Sequence, residues 1–199
     1  MEISLTRKEY DACEFKGVSL SNKKLQHFAF QNCLFKKCSF QEIEFEDCLF
    51  EECRFQNCNI NLSKFKGSSF STVKFENSQL IGIDWTITNW GRSKLFTPVD
   101  FFESVINYNT FMGLSLAKIK IKKCIARSVD FSEADLNQAD CTGSDFTESI
   151  FTHTNLSEAN FTGASGYSID VLKNTLKKAR FSMPEALSLL YNLDIILEE

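Results

Sequence analysis

Apolar residues recur along this chain at every fifth position. From Tyr10 the series reads Tyr10, Phe15, Leu20, Leu25, Phe30, Phe35, Phe40, Phe45, Phe50, Phe55, Ile60, Phe65, Phe70, Phe75, Leu80, Trp85 and Trp90, without exception. One residue out of step it resumes at Phe101 and runs through Ile106, Phe111, Leu116, Ile121, Ala126, Phe131, Leu136, Cys141, Phe146, Phe151, Leu156 and Phe161. With 43% of residues apolar, the first run alone arises by chance roughly once in a million registers. Two places before each centre stands a second series, mostly small or thiol: Cys13, Val18, Cys33, Cys38, Cys48, Cys53, Cys58, Ser63, Ser68, Val73 and Ser78. It continues as Cys124, Val129, Ala134, Ala139, Ser144, Ser149, Thr154, Ala159 and Ala164. The residues on either side of a centre are polar or charged nearly throughout. Neither a helix, with period 3.6, nor a plain strand, with period 2, gives a strict period of five. The pattern is an internal repeat and predicts a solenoid rather than a globular core.

The units Ala134-Asp-Leu-Asn-Gln, Ala139-Asp-Cys-Thr-Gly, Ser144-Asp-Phe-Thr-Glu and Ala159-Asn-Phe-Thr-Gly resemble the pentapeptide-repeat family, whose consensus is roughly Ala-(Asp/Asn)-Leu-x-x. The resemblance implies an all-β solenoid, a right-handed quadrilateral β-helix with four pentapeptides to a coil. Centre and small residue then point inward, and residues 20 apart stack in columns about 4.8 Å apart. Cys13, Cys33 and Cys53 would share one column, and Cys38 and Cys58 another. Some 7.5 coils would make a rod of roughly 36 Å.

Residues 1–9, with Ile3 and Leu5 apolar, read as an N-terminal cap, 10–90 as a first stack and 101–168 as a second. Lys23 and Phe28, at nominally small inward positions, predict irregular early coils. The segment 91–100 reads as an irregular loop or bulge, two units plus one residue between Trp90 and Phe101. It is either a tolerated insertion or a partner-contacting projection carried by Arg92, Lys94 and Phe96. Trp85 and Trp90, large for a coil interior, are expected to line the junction. Beyond Phe161 the period ends, and 169–199 reads as a separate helical module. Ser182-Met-Pro-Glu185 has the form of a capping box with proline in the first turn. A short helix with Ala186, Leu187, Leu189, Leu190 and Leu193 apolar should come next, then a strand over 194–197.

The pattern Ala186-x-Ser188-Leu-Leu-x-x-Leu193-x-Ile195-x-Leu197 resembles the C-terminal module of the quinolone-resistance (Qnr) members of the family. Ala179-Arg-Phe-Ser-x-Pro-Glu-Ala and Gly82-x-x-Trp85-Thr-x-x-x-Trp90 resemble the albicidin-resistance member. These resemblances imply a homodimer joined end to end through Pro184, Leu187, Leu190, Leu193, Ile195 and Leu197. Two-fold pairing is also the commonest way to cover such an apolar patch. They further imply a protein that imitates duplex DNA, binds DNA gyrase, with topoisomerase IV as an alternative partner, and shields it from quinolones or albicidin.

Charge bears on that expectation. The chain has 22 basic and 26 acidic residues, a net charge of −4. Residues 42–52 hold Glu42, Glu44, Glu46, Asp47, Glu51 and Glu52 and no Lys or Arg; residues 128–168 hold Asp130, Glu133, Asp135, Asp140, Asp145, Glu148 and Glu158, again without a base. Glu42, Glu44, Glu46, Asp47, Glu51, Glu52, Asp130, Asp135, Asp140 and Asp145 are therefore the candidate acidic surface. Turn hydrogen bonding is the competing role for the four aspartates. The basic run Lys118, Lys120, Lys122, Lys123 and Arg127 counts against a uniformly DNA-like rod.

Other chemistry finds little support. Eight Cys but no Cys-x-x-Cys pair, and only two His, argue against a metal site; the period assigns the thiols to the interior as small hydrophobes. No nucleophile–base arrangement or phosphate loop appears, so neither an enzyme nor a cofactor is expected. The Asp series at period five lacks the alternating ligands of a calcium loop. With no apolar leader after Met1 and no stretch of about 18 apolar residues, the expected setting is the cytoplasm, with no membrane contact and no direct nucleic-acid binding. The rival reading is a general protein–protein interaction scaffold with another partner.

Overall fold

Each pentapeptide forms one side of a four-sided coil. The computed structural model describes residues 7–90, 98–193 and 195–196 and shows an all-β parallel solenoid of about eight turns. On the face that begins at Tyr10, strands Glu9–Asp11, Ala29–Gln31, Leu49–Glu51 and Ser69–Ser71 pair in parallel, so that Tyr10, Phe30, Phe50 and Phe70 form one column. The next face begins at Phe15. Its six strands are Glu14–Lys16, Leu34–Lys36, Arg54–Gln56, Val73–Glu76, Val99–Phe102 and Ile121–Lys122. The Leu20 and Leu25 faces pair as short strands at first and then as single bridges, Gln79 with Val105 and Asp84 with Thr110 among them.

The corner explains why a five-residue unit can turn through a right angle. The residue two places after each centre takes a positive φ, from Ala12 to Gly82 and from Glu103 to Gly163. Most of these are not glycine, and the left-handed region is strained by about 1–2 kcal/mol for an L-residue. The ladder offsets the strain, because the corner N–H donates to the coil above: Asn32 N to Glu51 O at 2.9 Å, Glu42 N to Asn61 O at 3.0 Å.

Inside, rings lie in register. Phe35 stacks on Phe55 with centroids 4.4 Å apart and planes 4° from parallel, while neighbours round the coil, such as Phe35 and Phe40, meet edge to face. Each ring buried from water contributes roughly 1.5–3 kcal/mol. The small inward residues do more than make room. Ser68 Oγ accepts from Cys48 N at 3.0 Å and donates to Phe45 O at 3.0 Å, tying one coil to the last. Cys38 and Cys58 make the weaker version, each Sγ donating to a carbonyl of the previous coil at 3.4 Å.

Several expectations are corrected. Phe75 pairs with Phe101, so that coil holds six extra residues rather than one; at a period of five the two slips look alike in sequence. The ladder is continuous across the insertion, since Val73–Glu76 pairs with Val99–Phe102. Trp85 sits in the coil that carries the insertion and is fully buried, stacked between Phe65 at 5.6 Å and Phe111 at 5.7 Å. Trp90 is half-buried, its Nε1 donating to Trp85 O at 2.7 Å. The loop candidates Arg92, Lys94 and Phe96 lie outside the described residues, as do positions 1–6 of the N-terminal cap.

The coil also continues beyond Phe161. Ser168–Ile169 pairs with Ile150–Phe151, and Arg180–Phe181 pairs with Asn160–Phe161. One side of this last coil is two residues short, pairing Phe151 with Ile169, and the next regains them. That shift hides the repeat from a fixed five-residue count. At the other end the backbone is regular even at Lys23, whose carbonyl accepts from Glu44 N at 2.9 Å. The irregularity expected there is confined to side chains: Lys23 is exposed, and Phe28 is buried against Phe30.

Candidate partner-binding surface

Consecutive pentapeptides occupy consecutive faces, and this decides what the acidic runs can do. Asp130, Asp135, Asp140 and Asp145 precede Phe131, Leu136, Cys141 and Phe146, so one aspartate lies on each of the four faces. They form a ring round the rod, not a patch. Each is engaged in its own turn. Asp130 Oδ1 accepts from Ser132 N at 2.8 Å, Asp135 Oδ1 from Asn137 N at 3.1 Å, and Asp145 Oδ1 from Thr147 N at 2.9 Å. Asn155 and Asn160 do the same for Ser157 and Thr162, both at 3.1 Å, so the turn needs the oxygen and not the charge.

Two of the four are also ion-paired. Lys122 Nζ lies 2.9 Å from Asp140 Oδ2, and Arg127 Nη2 lies 2.7 Å from Asp145 Oδ2. The basic run thus sits one coil before the acid-only run and neutralises part of it. Burial raises the Asp140 and Asp145 carboxyls, but bonds from Thr142 and Lys122, and from Thr147 and Arg127, outweigh it and leave both below the ordinary value.

The run 42–52 likewise wraps several sides. Glu44 and Glu46 flank Phe45 on the Leu25 face, and Glu51 comes after Phe50 on the Tyr10 face. Glu46 is held by Lys24 at 2.8 Å and Lys66 at 2.9 Å. Hydrogen bonds from these two ammonium groups, with one from Gln26, lower its carboxyl to about 2. Glu44 pairs with Lys24 at 3.4 Å. Glu42, Asp47 and Glu52 stand exposed on three successive corners.

One face does concentrate acid. Among the described residues, no Lys or Arg flanks a centre on the Tyr10 face between Glu9 and Ser157, whereas Glu9, Asp11, Glu51 and Asp135 do. Exposed carboxylates of Asp47 and Glu133 border it on one edge and those of Glu52 and Glu158 on the other, with Lys118 also on the second edge. The adjacent Phe15 face is mixed: Lys16, Lys36, Arg54, Lys74, Lys120 and Lys122 flank its centres together with Glu14, Glu76, Asp100 and Asp140, and Lys36, Arg54 and Lys122 pair with Glu14, Glu76 and Asp140. Glu9 and Asp11 lie outside both acidic runs of the sequence, and Glu133 and Glu158 lie in the run 128–168 but outside the ten candidates. Charges must be summed one unit in four to find them, and the 26-residue coil shifts that count.

The C-terminal segment departs from expectation. Ser182 and Glu185 do not cap their own helix. Ser182 Oγ accepts from Gly163 N at 2.8 Å and Glu185 Oε1 from Gly166 N at 2.7 Å. The last coil has no coil above it, and its open N–H groups take the side chains instead. The chain then forms one short 3-10 helix, Glu185–Leu190, with Leu189 against the core. Ile195 and Ile196 form no strand, and Asp194 and Leu197 lie outside the described residues. Of the residues expected at a dimer interface, Pro184, Leu187 and Ile195 are exposed, and Leu190 and Leu193 are half-buried. Met183, Tyr191 and Ile196 add exposed apolar surface, Ile196 at 89%.

Among the described residues no three His, Cys, Asp or Glu side chains converge to hold a metal ion, and no helix is long and apolar enough to cross a membrane.

A profile described as a pentapeptide repeat region matches residues 3–80 and 28–111, and one described as pentapeptide repeats (8 copies) matches 127–165. No curated protein matches the chain by sequence. Among solved structures, full-length QnrB1, a plasmid-mediated fluoroquinolone resistance protein, is similar at a TM-score of 0.59 and 16% identity, over 94% of this chain and 100% of that one. A trypsin-treated variant of QnrB1 gives 0.56 and 15%, over 92% and 99%. HetL, a heterocyst-differentiation regulator of the cyanobacterium Nostoc, gives 0.37 and 12%, over 88% and 87%. At such identities the QnrB1 likeness shows the fold.

Proposed function

The chain belongs to the pentapeptide-repeat family, and from that premise we propose that it is a non-enzymatic binding protein that occupies the DNA-binding groove of a type II topoisomerase. DNA gyrase is the proposed partner and topoisomerase IV the alternative. The consequence is protection of the enzyme from DNA-trapping antibiotics such as quinolones or albicidin, in the cytoplasm where the enzyme works. The observation that carries the reading is the Tyr10 face. It presents carboxylates in two groups, Glu9, Asp11, Asp47, Glu51 and Glu52 towards one end and Glu133, Asp135 and Glu158 towards the other, and among the described residues no Lys or Arg flanks its centres. A groove built to bind phosphates is lined by cations, and a rigid column of carboxylates meets it without ordering cost on its own side. No group has to react, so the activity is occupancy and exclusion.

The exposed apolar end at Met183, Leu187, Tyr191 and Ile195 supports a homodimer joined through this tip. Two-fold pairing places the Glu133 and Glu158 ends of both acidic faces near the centre.

The test is a supercoiling assay with purified gyrase, with and without a fluoroquinolone or albicidin. The protein should restore supercoiling in the presence of drug, or inhibit it without drug at higher concentration. No effect in either arm removes the reading. The bases on the Phe15 face favour a second reading, a scaffold whose partner is not a DNA-binding groove. A protein that leaves gyrase untouched yet still dimerises would favour it.

A further inference from the structure

Six of the eight cysteines fall between Cys13 and Cys58, and all eight are free thiols. The register stacks Cys13, Cys33 and Cys53 beneath the Phe15 face and Cys38 and Cys58 beneath the Leu20 face. Parallel neighbours in register stand about 4.8 Å apart, inside the roughly 4.4–6.8 Å that a disulfide spans between Cα atoms.

The thiols of both stacked pairs repeat one geometry a coil apart: Cys38 Sγ donates to Phe15 O and Lys36 O, and Cys58 Sγ to Phe35 O and Gln56 O, all at 3.4 Å. Cys33 and Cys53 do the same with Tyr10 O and Gln31 O and with Phe30 O and Glu51 O. In each pair the two thiols are within hydrogen-bonding reach of one another. One observation sets Cys38 and Cys58 apart. An open groove of about 360 Å³ runs along the edge above them, lined by Cys38 and Cys58 with Lys37, Asn57, Asn77 and Gln79. Cys33 and Cys53 do not line it. Cys38 and Cys58 are nearly buried, and the groove is the side from which a small molecule approaches these two residues.

We propose that Cys38 and Cys58 are a peroxide-oxidisable pair that closes to a disulfide between consecutive coils. The Cys38 thiolate attacks one peroxide oxygen; an S–O bond forms, the O–O bond breaks, and the departing hydroxide takes a proton to leave as water. The Cys58 sulfur then attacks the sulfenic sulfur of Cys38. The S–S bond forms, the S–O bond breaks, and hydroxide leaves as water with the Cys58 proton. Two thiols and one hydrogen peroxide give one disulfide and two waters. The chemistry favours Cys38 as the attacking group, because the hydrogen bond from Cys58 outweighs burial and holds its thiol below the ordinary value. Burial instead pushes Cys53 up to about 12. The inference does not depend on the topoisomerase reading.

Serine substitutions are suitable probes, since Ser63, Ser68 and Ser78 already fill the same inward position. Full-length reduced protein is treated with a few-fold excess of hydrogen peroxide, alkylated, digested with trypsin and read by mass spectrometry. Peptide 38–54 should appear joined to peptide 55–64 with the loss of two hydrogens, and fragment ions should place the bond between Cys38 and Cys58. Dithiothreitol should reverse it. Cys38→Ser and Cys58→Ser should each abolish the joined species, while Cys48→Ser and Cys53→Ser keep it. No joined peptide, a joined peptide that survives Cys38→Ser, or oxidation confined to half-exposed Cys13 overturns the proposal.

Discussion

Arg127 closes on Asp145 of the next coil, its Nη2 and Nε each 2.7 Å from Oδ2. The other carboxylate oxygen, Oδ1, accepts from Thr147 N at 2.9 Å and Thr147 Oγ1 at 2.6 Å. Both oxygens are therefore engaged within the rod, and the residue serves the turn before it can serve any partner.

That division of labour separates two substitutions. Asp145→Asn keeps an oxygen for Thr147 and loses only an exposed ion pair, so stability should fall by less than about 1 kcal/mol. Asp145→Ala loses both and leaves the turn N–H without its acceptor, which should cost about 1–2 kcal/mol. Urea unfolding of the two variants measures the difference. Equal losses would mean that the charge, not the turn, matters.

Glu46 sets a pH dependence. Its folded carboxyl is lowered to about 2 from 4.5, so the unfolded chain takes up the proton first as pH falls. The stabilisation is complete above about pH 5, declines below the unfolded value and is gone once pH passes through the folded one. The stability gap between the protein and Glu46→Gln should take that course, vanishing near pH 2. It should also shrink with added salt, because Lys24 and Lys66 hold Glu46 at the surface. A gap constant from pH 7 to pH 2 would rule the ion pairs out as its source.

Trp85 joins the coils on either side of the insertion. Trp85→Ala empties a site walled by Phe65, Phe75, Phe101 and Phe111. The expected loss is about 3–5 kcal/mol. Trp85→Phe, which restores a ring to the column, should recover most of it in thermal or denaturant unfolding.

The proposed tip interface is open to a charge test. Leu187 is already 40% exposed, so Leu187→Arg should leave the coil folded. Light scattering should then give half the mass of the unaltered protein, with little change in unfolding temperature. An unchanged mass would place any dimer contact elsewhere.

The repeat made most of the fold legible before any coordinates. Phe35, Phe55 and their series are inward because an apolar residue at a strict period of five has only one side on which to be buried. Three features were not legible. The insertion after Trp90 reads as one residue or six, since a period of five cannot tell them apart. The last coil escapes because Ile169 sits 18 residues from Phe151 instead of 20. Ser182 and Glu185 match a capping box, but open N–H groups at Gly163 and Gly166 compete for the same oxygens and win them. The candidate surface was harder still. A run of acids along the chain becomes a ring round the rod, whereas a usable acidic face comes from residues 20 or 26 apart.

The most direct measurement is binding of the purified protein to gyrase in competition with duplex DNA. Saturable binding that duplex DNA displaces, and that weakens when Asp47, Glu52 and Glu133 on the borders of the Tyr10 face are changed together to Gln or Asn, is the predicted result. No binding at tens of micromolar, or binding that DNA leaves untouched, would contradict the account.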